Sequence, residues 1–163
     1  VIFIKRFVFL VLIFLLTFFF NLLNYRINRI FLYIDISFIV CFLLLINNNK
    51  ISAYLFCFFI YFLNEIFLMP IFGMTLFTSI TALFFAEWLS HNLYIKSFIT
   101  KMVVFLASYI VKVLLYFILI TIFYRGGKIY FWGFEFVILK ILITSVLFLI
   151  LIKIMDIKKV FIR

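Results

Sequence analysis

The chain has 163 residues, is 71% hydrophobic and has a mean hydropathy of +1.45, whereas soluble domains are nearer half apolar. Its formal net charge of +10 would suggest nucleic acid in a soluble protein, but no stretch remains to form a soluble domain. The apolar runs are continuous rather than alternating, which argues against an outer-membrane barrel. The expected class is an all-α integral membrane protein, a single domain of six helices that satisfy their own backbone in the lipid bilayer.

Helix 1 is expected over 7–23, after Lys5 and Arg6. No small-residue cleavage pattern follows it, so it reads as a retained span rather than a signal peptide. A polar loop with Arg26 and Arg29 leads to helix 2 over 30–46, with Asp35 about one and a half turns in. Asn47, Asn48 and Asn49 close that helix, since asparagine is a poor helix former and a ready turn former.

The next apolar run, from Ile51 to Leu89, is too long for one span of about 20 residues. Pro70 and Gly73 divide it into helix 3 over 51–69 and helix 4 over 74–89, joined by a tight turn. Asn64 and Glu65 lie just before that turn, in an otherwise apolar helix. Helix 4 carries Thr75, Thr78, Thr81 and Ala82 at spacings of three and four, a small-residue face suited to close helix packing. It ends in Glu87 and Trp88, an interfacial signature, and His91 reads as a solvated loop residue.

Helix 5 is expected over 102–124, with Lys112 near its middle. Arg125-Gly126-Gly127-Lys128 forms a turn, followed by the aromatic belt of Tyr130, Phe131 and Trp132. Helix 6 is expected over 136–154, with Lys140 near its start.

Six helices place both termini on one side. That side collects nine of the 15 Lys and Arg residues and the other side four, with Lys112 and Lys140 inside spans, so the termini are expected to be cytoplasmic. Asp35, Glu65 and Lys140 then lie at similar depth, about 6–8 Å below the outer interface at ~1.5 Å per residue. Charges there are costly, so pairs such as Glu65 with Lys140 are expected. Such pairs could fix helix order, line a pocket for a ligand or proton, or meet a partner's helix.

The 28 Phe residues read as lipid-facing or packed bulk. Cys41 and Cys57 read as small buried apolar residues, without the spacing of a zinc or redox site. No nucleophile elbow, HExxH or phosphate-binding glycine loop is present, so no catalytic residue, metal or cofactor is expected.

Two stretches resemble a known family. Ile34-Asp35-Ile36 resembles the Pro-Asp-Leu that opens the second helix of the rod shape-determining MreD family. Glu65, with Gly73 eight residues later in Pro70-Ile71-Phe72-Gly73, resembles that family's Gly-Leu-Leu-x-Asp … Pro-Leu-Gly hairpin. Ile34 stands in place of the family proline, Tyr61 in place of its glycine and Glu65 in place of its aspartate, and Pro70 is one place from the family's proline. The motifs cover about 31–82; length and six spans match over the whole chain.

The resemblance implies a non-enzymatic subunit of the cell-elongation complex in the bacterial cytoplasmic membrane. It would bind the bitopic protein MreC and link MreB filaments to peptidoglycan synthases. The alternative is the substrate-binding membrane subunit of a vitamin-type (energy-coupling factor) transporter. Those subunits dock through small residues in the first helix, and between Phe7 and Phe20 only Thr17 is small.

Overall fold

Asn49-Lys50 turns the chain into a long apolar helix because the asparagine run ahead of it cannot continue the previous one. In the computed structural model an apolar run ends at a polar break here, and at the proline- and glycine-containing stretch 69–73 between the next two helices. The structure describes residues 11–20, 35–47, 49–68, 73–93, 97–123 and 132–161, with side chains of the last stretch over 138–154.

Six helices lie among the described residues: α1 (Val11–Phe20), α2 (Ile36–Ile46), α3 (Lys50–Leu68), α4 (Met74–Asn92), α5 (Phe98–Phe123) and α6 (Trp132–Phe161). Two of them, over Lys50–Phe67 and Phe98–Phe123, are long and apolar enough to cross a membrane. Helices α1 and α2 are apolar but shorter.

Several boundaries differ from the sequence expectation, each for a local reason. Asp35 does not lie inside helix 2. It stands at the N-cap of α2, and its Oδ1 accepts the Phe38 N–H at 3.1 Å. Aspartate is a favoured N-cap because its carboxylate satisfies a backbone donor that the helix itself cannot. Helix α5 begins four residues before Met102 because Ser97 caps it, its Oγ accepting the Thr100 N–H at 3.1 Å. Helix α4 runs on through His91, which is therefore helical rather than a loop residue. Helix α6 starts at Trp132, not Phe136, and extends to Phe161.

Helix α4 packs most extensively against α5, and α3 packs against both α2 and α4. The buried residues of α4 are Met74, Thr78, Ser79, Ala82, Leu83 and Ala86, a single stripe. Four of the six are small, and Ser108 of α5 is also buried, so the backbones can approach closely. The expected face of Thr75, Thr78, Thr81 and Ala82 is corrected here. Thr81 lies off the stripe, and its Oγ1 donates to the Phe77 carbonyl one turn back at 2.8 Å. Thr75 is half-buried and turned to α3, as described below.

The core between α2, α5 and α6 is aromatic. Phe105 stacks on Phe148 with ring centres 3.9 Å apart, and Phe42 meets both edge-on at 5.1 and 5.3 Å. Such pairs add about 0.5–1.5 kcal/mol each beyond their buried area. Other phenylalanines, Phe59, Phe67, Phe77, Phe84 and Phe123 among them, stand exposed on the outer surface. Cys41 and Cys57 are both buried and free.

Candidate functional site: a charged centre inside the helix bundle

The polar interior forms two clusters, one helical turn apart along α3. The first is built on Asp35. Having capped α2 with Oδ1, the carboxylate also accepts the Tyr61 hydroxyl on Oδ1 at 2.8 Å. Its Oδ2 pairs with the Lys112 ammonium, which also donates to the Tyr61 hydroxyl oxygen at 2.7 Å. The Asp35 N–H donates to Thr144 Oγ1 at 3.3 Å, and the Tyr109 hydroxyl lies 3.4 Å from the same oxygen. The carboxylate of Asp35 thus joins α2, α3 and α5, and its backbone N–H adds α6.

Aromatic rings surround the ammonium. Lys112 Nζ lies 4.3 Å from the ring centre of Tyr61, 4.9 Å from that of Phe38 and 6.0 Å from that of Tyr109. Rings at that range attract a desolvated cation. Lys112 lies in the middle of α5, and its flexible stem carries its charge to Asp35.

The second cluster is built on Glu65, which is 1% exposed. Its Oε2 accepts the Gly73 N–H at 2.8 Å, and its Oε1 accepts the Thr75 hydroxyl at 2.6 Å and the Leu76 N–H at 2.8 Å. Gly73 is the N-cap of α4 and has no side chain with which to satisfy those donors. Glu65 does so from the preceding helix. Its negative charge also sits at the positive end of the α4 dipole. Gly73 has φ +93°, a left-handed conformation that favours glycine, and a Cβ there would meet nothing within 4 Å. The requirement for glycine is conformational rather than spatial. Pro70 lies outside the described residues.

The expected pair of Glu65 with Lys140 is not formed. Both Glu65 oxygens are engaged by the start of α4. Lys140 is half-buried on α6, one turn before Thr144. Asn64 is buried, and its Oδ1 has no hydrogen-bond partner among the described residues; the same holds for Ser79 Oγ on α4.

At the far end of the α3–α4 hairpin, Glu87 accepts from Tyr54 at 2.6 Å and pairs with Lys50 at 2.7 Å. Lys50 Nζ lies 3.0 Å from His91 Nε2. Glu65 at one end and Glu87 at the other hold α3 and α4 antiparallel.

Sequence reasoning did not single out Tyr61, Tyr109 or Thr144 as members of the site. A signal was present: Tyr61 precedes Glu65 by four, Tyr109 precedes Lys112 by three and Thr144 follows Lys140 by four. Each therefore shares a helix face with a charge. Tyr61, a departure from the MreD pattern, supplies the hydroxyl that links Asp35 to Lys112.

Fold and site together define an all-helical protein with two membrane-competent helices and an internally paired charged centre. Comparison with protein-family models, with curated proteins and with solved structures finds no match.

Proposed function

We propose that this chain is a multi-pass, non-enzymatic subunit of a bacterial cell-elongation complex in the cytoplasmic membrane, akin to the MreD family. In this reading all six helices span the bilayer and both termini are cytoplasmic. The protein binds an MreC-like bitopic partner through its helices and ties cytoskeletal filaments to peptidoglycan synthesis. The observation that carries the scaffold reading is the use made of the interior charges. Asp35 and Lys112 satisfy one another, and Glu65 caps a helix, so these groups hold helices in order rather than standing ready for a reactant. The motifs that resemble MreD lie at the same two places, the start of α2 and the α3–α4 turn.

The test is affinity purification in mild detergent, with identification of what accompanies the protein. A bitopic protein of the cell-elongation machinery at near-stoichiometric amount is the expected result. Recovery of a small vitamin with no protein partner would overturn the proposal in favour of a transporter subunit.

A further inference from the structure

We draw no further inference here: the strongest candidate, the pair of buried side-chain atoms Asn64 Oδ1 on α3 and Ser79 Oγ on α4 that have no hydrogen-bond partner among the described residues, carries nothing because nothing in the structure sets the two side by side or shows what would satisfy them.

Discussion

Asp35 combines three tasks in one carboxylate: helix cap, ion-pair partner and acceptor for a tyrosine hydroxyl. Removing one member of such a buried pair leaves the other charged and unmatched, at about 3–5 kcal/mol. Asp35→Asn and Lys112→Met should each lower stability in detergent by that order, and the double variant should lose clearly less than the sum. Unfolding measurements on the four proteins of the cycle check this; strictly additive losses would show that the two groups do not interact. The contrasting cycle is Glu65→Leu with Lys140→Leu. Glu65 is spent on the start of α4, so those losses should add to within about 0.5 kcal/mol. Tyr61→Phe keeps the ring and removes the bridging hydroxyl, at about 0.6–1.7 kcal/mol inside a membrane bundle. Ser79 is the opposite case. Its buried Oγ has no partner among the described residues, so Ser79→Ala should be neutral or stabilising in the same assay.

At the scale of the element, the α3–α4 hairpin is a unit closed at both ends by carboxylates of different environment. Glu65 is buried and serves backbone donors; Glu87 lies near the surface with Lys50 and Tyr54. Glu65→Gln, which leaves one of its oxygens replaced by a donor, should cost about 1–3 kcal/mol. Glu87→Gln should cost no more than about 1 kcal/mol, since exposed pairs are weak. Comparing the Tm of the two variants decides whether the hairpin depends on its turn end as strongly as the burial implies. The turn itself can be tested without crowding. A Cβ at residue 73 meets nothing, so any loss in Gly73→Ala reports the left-handed backbone alone, about 1–2 kcal/mol. On α4, Thr78→Leu should overpack the buried stripe at about 1–3 kcal/mol, while Thr81→Leu, off that stripe, should stay within about 0.5 kcal/mol.

For the whole molecule, the charge count along the loops predicts its orientation. Reporter fusions at Asn48 and Arg163 should both read cytoplasmic, because the side holding the termini carries the excess of Lys and Arg. An external reading at Arg163 would overturn this topology. The outer surface fits bilayer surroundings, with Leu15, Leu16, Phe67, Phe84, Ile122 and Phe123 all exposed on helices.

The amino-acid order alone determined that the chain is helical and roughly where its helices lie, because both follow from local facts. Long apolar runs, an asparagine cluster at 47–49 and a glycine at 73 act within a few residues of themselves. Boundaries were misplaced where a side chain chose to cap, at Asp35 and at Ser97, since a cap and an interior residue look alike in a string. The sequence also marked the right charges but matched them wrongly, joining Glu65 to Lys140 by depth. Depth along a helix is local, whereas the rotation of one helix about its axis relative to another is not. Only the packed bundle decided that α5 turns Lys112 toward α2, that α4 presents its unsatisfied N–H groups to Glu65, and that Lys140 is left with a charge and no partner among the described residues.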